Sequence, residues 1–366
     1  MKTKHALSII ILVGVATLGF IFNRNGLLNI QTDTVVYVDQ IRYANHEIAI
    51  TPDIEKRSFK PLYGILGSYL TPLFTEHQAI LVINIFFYFG IIILSYFFLR
   101  ELGFKEKSAI IGTTWIATGY PLLKFGLVLL TDISGWFFTL ATITTFLIGL
   151  RKQSTFLIVF SSILGFLGSL CKETGVLGLF FAGVYMLSMF VYTKKKEYLK
   201  HILTISIPFI VLQALFLYSL FHGNGTGISF INWYFYNKET FESTYHTFFY
   251  FFFTEASTFN LLWVYCLYLV YALLRKKTSI TKENYILGGS LLLATLPVLI
   301  WPMFLTRVLY IGYVAIVPFA LIGFVVWSLE NKEKIKTFYF LSLLPVLSSV
   351  SLFILASGGS LFDLLK

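Results

Sequence analysis

The sequence predicts an all-α integral membrane protein, and three observations support this fold class. Of its 366 residues, 57% are hydrophobic and only 13% are charged, whereas soluble domains carry about 25% charge. The apolar residues form about eleven blocks of roughly 18–22 residues, each long enough to cross the hydrocarbon core as a helix. Short charged stretches separate the blocks. Because backbone polar groups in lipid must be satisfied within their own segment, we expect a bundle of about eleven transmembrane helices.

The first apolar block begins directly after the lysine-containing N-terminus, Met1–Lys4. A cleaved signal peptide is the alternative, but the apolar run is long for one and no small-x-small cleavage site follows it. We therefore expect this block to be the first membrane helix. The predicted spans are residues 6–22, 78–99, 108–124, 132–150, 155–170, 175–192, 202–221, 256–274, 285–301, 308–328 and 337–356.

The distribution of lysine and arginine predicts the orientation of the bundle. The short loops that join alternate spans hold most of the 28 basic residues, and these loops are cytoplasmic by the positive-inside rule. The net charge of +10 therefore reflects membrane topology and does not indicate nucleic-acid binding. The predicted cytoplasmic segments are residues 1–4, 100–107, 151–154, 193–201, 275–284 and 330–336.

Two predicted outer loops are long. Residues 23–77 form the first, and they include a short apolar stretch, Pro61–Phe74, which suits helices lying in the membrane interface. Residues 222–255 form the second, with an aromatic segment, Phe230–Phe253, that is typical of a membrane interface. We expect residues 1–366 to form a single polytopic domain without a separate soluble domain. Because the cytoplasmic connections are short, we expect the chemistry on the outer face.

Charged residues outside the cytoplasmic loops lie in the first outer loop or at the outer ends of predicted helices. A single lysine or arginine at a helix end is most often an interfacial anchor, but charges near hydrocarbon are costly and often functional. Several such residues at one depth indicate a polar cavity at the outer boundary. The set is Asp33, Asp39, Arg42, Lys56, Arg57, Lys60, Lys124, Asp132, Lys172, Glu173, Glu255 and Arg307.

Short motifs in this set resemble those of the polytopic GT-C glycosyltransferases. The likeness is greatest to the branch that contains lipid A aminoarabinose transferase and bacterial enzymes similar to protein O-mannosyltransferase. It rests on the order of the motifs and on their shared outer face. The motifs are Asp39-Gln40-Ile41-Arg42-Tyr43-Ala44, Lys60-Pro61-Leu62-Tyr63, Asp132-Ile133-Ser134-Gly135-Trp136-Phe137, and Arg307-Val308-Leu309-Tyr310 followed by Pro318.

The resemblance implies transfer of a sugar from a polyprenyl-phosphate donor to a lipid, glycan or protein acceptor on the outer face. Asp39 would be the base or the carboxylate that orients the acceptor, and Asp132 would be the second carboxylate. Positive groups would hold the lipid phosphate and stabilise the charge that develops on it; the residues in this role are Lys60, Arg307 and Lys172. The residues that would contact substrate are Arg42, Tyr43 and Tyr310.

The resemblance leaves metal dependence open. Gln40 stands where many members of the family carry a second acid, so no cofactor is certain. The alternative is a divalent cation held by Asp39 and Asp132. The histidines predicted on the outer face have no metal-site spacing, and the two cysteines, Cys171 and Cys266, form no disulfide framework.

Other function classes fit the sequence less well. An O-antigen polymerase or ligase is expected to have an arginine-rich late outer loop, whereas Lys238 is the one basic residue in 222–255. A transporter or flippase for a lipid-linked sugar predicts mid-membrane polar groups and internal repeats, and we found neither. A structural membrane protein would leave the convergence of acids and bases unexplained. We expect a multi-pass protein of a bacterial or archaeal plasma membrane with a cytoplasmic N-terminus.

Overall fold

The computed structural model describes residues 3–26, 28–31, 33–222, 248–297, 309–330 and 335–357, and this part of the chain contains helices and no strands. Six of its helices are long and apolar enough to cross a membrane, and three more apolar helices have 10–17 residues. The prediction of an all-α membrane protein is therefore confirmed. The count of about eleven spans stays a prediction.

Helices in the first part of the chain begin at recognisable caps. Thr75 and Gln78 form a capping box at the start of α5, and Thr51 caps α3 just before Pro52. The predicted interfacial stretch 61–74 contains α4. The elements are α1 (Thr3–Asn25), α2 (Thr34–Ala44), α3 (Pro52–Lys56), α4 (Leu62–Ser68), α5 (Glu76–Glu101), α6 (Glu106–Ala117), α7 (Tyr120–Phe125) and α8 (Asp132–Arg151).

The later elements follow the predicted blocks with extensions of a few residues. The largest extension precedes α13, where the structure adds a separate helix, α12. The elements are α9 (Thr155–Cys171), a 3-10 turn (Glu173–Val176), α10 (Leu177–Thr193), α11 (Glu197–His222), α12 (Phe248–Phe259), α13 (Leu262–Leu274), α14 (Lys282–Thr295), a second 3-10 turn (Tyr310–Gly312), α15 (Tyr313–Glu330) and α16 (Ile335–Ala356).

Two predicted spans are broken in the structure. The block 108–124 is divided between α6 and α7, because Pro121 has no N–H to donate to the carbonyl of Ala117 and so cannot continue the helix. The block 256–274 is divided at Asn260, whose φ of +39° is incompatible with a right-handed helix. Neither block therefore forms one straight helix.

Helix α8 lies at the centre of the bundle. It packs against α5, α9 and α10, and 72% of its most apolar stretch is buried, against 6% for α11. Helix α5 runs parallel to α8, since Glu101 and Arg151 at their last turns form an ion pair with 2.9 Å between their charged groups. We call the end where α8 begins the Asp132 end and the opposite end, about 30 Å away, the Arg151 end.

Candidate functional site

The segment just before Asp132 is fixed by buried hydrogen bonds. Asn84 of α5 donates from Nδ2 to the carbonyl of Val128 at 2.7 Å and to that of Leu130 at 3.2 Å. Tyr63 of α4 donates its hydroxyl to the Asn84 side chain, and both residues are fully buried. Burial raises the pKa of Tyr63, so its phenol stays a neutral donor. The start of α8 is thereby held in one position.

Helix α2 of the first loop contacts the same segment. The Thr34 hydroxyl donates to the carbonyl of Leu129 at 3.0 Å, and the Thr131 hydroxyl donates to Tyr37 at 3.0 Å. All of these side chains are buried. The first loop therefore covers the N-terminus of α8 and places its own charged residues beside Asp132.

Helix α9 returns to the Asp132 end antiparallel to α8 and brings Lys172 there. The Lys172 ammonium lies 3.2 Å from Oδ1 of Asp132, and the Asp132 side chain is only 6% exposed. Asp132 opens α8, where the helix dipole also favours a negative charge. The predicted proximity of Lys172 and Asp132 is thus found in the structure.

The next residue, Glu173, pairs with the first loop. Its Oε2 lies 2.9 Å from the Lys60 ammonium, and the two side chains are 13% and 9% exposed, respectively. Glu173 also interacts electrostatically with Lys172. The carbonyl of Lys60 and that of Arg57 accept hydrogen bonds from Gln40, which anchors this part of the loop to α2.

A third ion pair lies in the first loop itself. The Arg57 guanidinium is 3.1 Å from Oδ1 of Asp33 and lies over the Tyr37 ring, 4.8 Å from its centroid. Arg57 also interacts electrostatically with Glu173. We call these three pairs the charged cluster: Asp33 with Arg57, Lys60 with Glu173, and Lys172 with Asp132.

Two glycines let the Lys172–Glu173 segment approach the bundle. A Cβ on Gly175 would lie 2.5 Å from the backbone of Gly168 in α9, closer than any real Cβ contact. A Cβ on Gly135 of α8 would likewise meet the side chains of Thr174 and Lys172, at 2.2 and 3.0 Å. Larger side chains would therefore push this segment away from α8.

An apolar cavity of about 870 Å³ lies between α12, α13, α14 and α15. The described residues that line it include Glu255, Trp263, Leu296, Gly312 and Ile316. Burial raises the pKa of the Glu255 carboxyl to about 7. The cavity is close to the start of α8, because Tyr310, in the turn that forms part of its wall, packs on Trp136 with ring centroids 4.3 Å apart.

Comparison with solved structures identifies the fold. An Archaeoglobus fulgidus oligosaccharyltransferase in complex with zinc and sulfate aligns with a TM-score of 0.67 and 16% identity over 97% of this chain and 53% of its own. The chain has the fold of that aligned half. The archaeal oligosaccharyltransferase from the same organism with an inhibitory peptide and a dolichol-phosphate aligns with a TM-score of 0.66 and 13% identity, over 98% of this chain and 56% of its own.

A third structure of the archaeal enzyme, tethered by a disulfide to an acceptor peptide containing the NVT sequon, aligns with a TM-score of 0.58 and 15% identity over 98% of this chain and 55% of its own. No family model and no curated protein matches the chain. The chain spans about half the length of these structures. At these identities the comparison shows the fold alone, and the resemblance to GT-C glycosyltransferases stays a prediction from the sequence motifs.

Three residues predicted to act at the site lie on the far side of α2 from the cluster. Successive residues of a helix are rotated by about 100°, so Asp39 faces away from Thr34 and Tyr37. Arg42 is exposed and pairs with Glu76, with Nε 2.8 Å from Oε1. This hydrogen bond raises the pKa of Arg42. Tyr43 is 43% exposed, so Asp39, Arg42 and Tyr43 form a separate, more open surface.

The predicted residues late in the chain are placed differently. Tyr310 is buried, and its hydroxyl donates to the carbonyl of Ile116 at 3.1 Å, next to the break between α6 and α7. Its ring forms part of the packing between Trp136 and Tyr313. Arg307 lies outside the described residues, as does most of the aromatic segment 230–253.

Asp33 is one of the charged residues predicted on the outer face but not one of the predicted site residues, although the sequence contains a signal for it. Asp33 and Tyr37 have the same Asp-x-x-x-Tyr spacing as Asp39 and Tyr43, six residues earlier. The structure places Asp33 at the N-cap of α2 and Tyr37 against Arg57 and Tyr63. Glu173 was noted only as one charge among many, and its pairing with Lys60 could not be read from spacing.

The described residues do not fit a resident metal ion. No group of three or more histidine, cysteine, aspartate or glutamate side chains in this part of the chain could hold one. Asp132 is engaged by Lys172, and Asp39 faces away from it across α2. The zinc in the neighbouring structure is a property of that protein.

Proposed function

We propose that this protein is a membrane glycosyltransferase that moves a sugar from a polyprenyl-phosphate donor to an acceptor at the Asp132 end. The observation that carries the proposal is that the buried Lys60 pairs with Glu173, while Lys172, whose side chain is 16% exposed, pairs with the buried carboxylate of Asp132. Buried charges of this kind are costly in a membrane protein and often mark substrate sites. The fold shared with archaeal oligosaccharyltransferase is the second support.

The proposed reaction is a direct displacement. An acceptor hydroxyl or amine attacks the anomeric carbon, the bond between that carbon and the phosphate oxygen breaks, and the polyprenyl phosphate leaves with the bonding electrons. A carboxylate takes the proton of the acceptor as the new bond forms. Lys60 and Lys172 stabilise the negative charge on the departing phosphate, and Arg307 is a third residue proposed for this role from the sequence motif.

Two carboxylates compete for the role of base. Asp39 is proposed from its motif, with Arg42 and Tyr43 beside it as residues that contact substrate. Asp33 has the same spacing to a tyrosine and is part of the charged cluster. Asp132 is proposed to orient the acceptor in either case. The geometry favours Asp33, because its carboxylate lies 3.1 Å from Arg57 and so belongs to the charged cluster, whereas Asp39 faces away from it.

The apolar cavity is proposed to take the prenyl chain of the donor. Its volume of about 870 Å³ and its apolar walls suit an extended hydrocarbon chain. Trp136 and Tyr310 lie between the cavity and the first turn of α8, so a chain in the cavity would have its phosphate near the lysines. The Tyr310 ring would then pack along the donor.

The test is release of free polyprenyl phosphate by the purified protein. We would incubate it with several polyprenyl-phosphate monosaccharides and with peptide, glycan and lipid acceptors, and compare wild type with Asp33→Asn, Asp39→Asn and Asp132→Asn. Release that depends on an acceptor and is lost in one of the first two variants would support transfer and identify the base. Glu47→Gln, an exposed acid of the same loop, is the matched control.

Normal turnover by all three aspartate variants would refute the carboxylate roles. No release by folded wild type with any donor or acceptor would refute the proposed function and favour a transporter. Folding of each variant would be checked by its elution as a single species in detergent and by its thermal unfolding.

A further inference from the structure

The charged cluster is electrically balanced. It contains three acids, Asp33, Asp132 and Glu173, and three bases, Arg57, Lys60 and Lys172, and each base lies within 3.2 Å of one acid. A phosphate anion that enters this cluster makes it negative unless an acid is displaced or protonated. A phosphate bound by Lys60 or Lys172 would therefore lie beside an acid that already pairs with the same lysine.

Glu173 uses one of its two carboxylate oxygens in an ion pair. Oε2 pairs with Lys60, and the buried Oε1 has no hydrogen-bond partner among the described residues. A buried carboxylate oxygen without a donor costs free energy. Asp132, by contrast, begins a helix and gains from the helix dipole. The arrangement around Glu173 thus leaves an acceptor oxygen free beside two lysines.

We propose that Glu173 is an internal anion that occupies the phosphate-binding lysines while the site is empty and competes with the lipid phosphate for them. This inference rests on the proposed function, because it assigns a positioning role within the same site. When the donor binds, Lys60 exchanges the Glu173 carboxylate for phosphate oxygens. After transfer, the ion pair between Lys60 and Glu173 forms again and the lipid phosphate leaves.

The direction of the effect follows from charge. The donor is a phosphodiester with one negative charge, and the product is a monoester with about −1.5 to −2 near neutral pH. Glu173 therefore repels the product more strongly than the donor. Like charges at close range repel each other strongly in a poorly solvated site. The Glu173 carboxylate therefore favours release of the lipid phosphate product and reduces its occupancy of the donor site.

The experiment compares wild type with Glu173→Gln and Glu173→Asp in detergent. The probes are farnesyl phosphate, with farnesol as the uncharged control ligand, and binding is measured by equilibrium dialysis. Glu173→Gln keeps the size of the side chain and changes the cluster from neutral to +1. We expect at least about tenfold tighter binding of farnesyl phosphate, unchanged binding of farnesol, and affinity close to wild type for Glu173→Asp.

Glu330→Gln is the matched control, because Glu330 also pairs with a lysine, Lys277 at 2.8 Å, but at the Arg151 end. It should leave the affinity for farnesyl phosphate unchanged. In the transfer assay, Glu173→Gln should show stronger inhibition by added lipid phosphate and a lower kcat with little rise in KM. A merely structural role for Glu173 would weaken binding of both probes, whereas the unfolding temperature falls in either case because Lys60 loses a buried partner.

Equal or weaker binding of farnesyl phosphate by folded Glu173→Gln would overturn the inference. If wild type still releases polyprenyl phosphate in the transfer assay, the proposed function stands and only the role of Glu173 is lost. If wild type neither binds farnesyl phosphate nor transfers sugar, the proposed function and this inference both fail. The inference is supported if Glu173→Gln alone binds farnesyl phosphate more tightly than wild type and its affinity for farnesol is unchanged.

Discussion

The two ends of the bundle use ion pairs in different ways. At the Asp132 end, the side chains of the pairs Lys60–Glu173 and Lys172–Asp132 are no more than 16% exposed. At the Arg151 end, Arg151 is 64% exposed and its partner Glu101 is 8% exposed, and the two side chains of the Lys277–Glu330 pair are 37% and 31% exposed. Exposed pairs contribute little to stability, whereas buried pairs carry a desolvation cost and are destabilising when broken.

This difference in exposure indicates which charged residues need a functional explanation. Lysines and arginines at the Arg151 end fit the role of interfacial anchors, because their ammonium and guanidinium groups reach solvent. The side chains of Lys60 and Lys172 are only 9% and 16% exposed, so anchoring does not explain them. Apolar residues of similar volume would serve stability at least as well as a buried pair.

The largest expected effect comes from breaking one buried pair. Lys172→Met leaves the Asp132 carboxylate buried without its ammonium partner, and we expect a loss of about 3–5 kcal/mol in the free energy of unfolding. Thermal or denaturant unfolding in detergent measures it. The double variant Lys172→Met/Asp132→Asn should recover much of the loss, since the uncompensated charge is gone. Lys277→Met, at the other end, should leave the unfolding temperature unchanged; an equal loss there would remove the contrast between the two ends.

A smaller effect is expected from the glycine contact behind the cluster. Gly175→Ala puts a methyl group 2.5 Å from the Gly168 backbone, so the 3-10 turn must move away from α9. Overpacking of this kind costs about 1–3 kcal/mol and should also weaken farnesyl phosphate binding, because Lys172 and Glu173 move with the turn. Gly183 of α10 has open space around it, and Gly183→Ala should be neutral or slightly stabilising. A similar loss of stability in Gly175→Ala and Gly183→Ala would show that the loss does not depend on the contact with Gly168.

The last prediction concerns an effect that appears only at higher pH, at Glu255, a half-buried acid whose described cavity neighbours include no lysine or arginine. Burial raises its pKa from 4.5 to about 7 in the folded protein. The folded state therefore binds the proton more tightly than the unfolded chain, so stability falls as pH rises from about 4.5 to 7 and then levels off. Glu255→Gln should raise the unfolding temperature at pH 8 relative to wild type and leave it unchanged at pH 4. If the unfolding temperatures of Glu255→Gln and wild type differ by the same amount at pH 4 and pH 8, titration of Glu255 is excluded as the cause.

Much of the architecture could be predicted from the sequence, because long apolar blocks leave little freedom in a membrane. The bounds of α8 and α9 differ from the predicted ones by a single residue at the C-terminus. The meeting of Lys60, Asp132 and Lys172 at one end was expected from their depth. Pro121 could have predicted the break between α6 and α7, since a proline lacks the N–H that a continuous helix requires.

The rotation of α2 could not be predicted. Two Asp-x-x-x-Tyr patterns occur six residues apart, and a shift of six residues rotates a side chain by about 240° around a helix. Asp33 and Asp39 therefore face different sides, and the sequence offers no reason to choose between them. The hydrogen bonds from Thr34 and to Tyr37 decide the rotation, and they depend on a segment about 95 residues later in the chain.

Lys172 and Glu173 are consecutive residues, and the backbone of Lys172 is extended, with φ −155° and ψ 139°. Neighbouring side chains on extended backbone point in opposite directions, so one pairs with α8 and the other with the first loop. A rotation of the single peptide between them would lengthen both ion pairs at once. The two ion pairs are therefore linked through one peptide, and a shift of that peptide would change both distances.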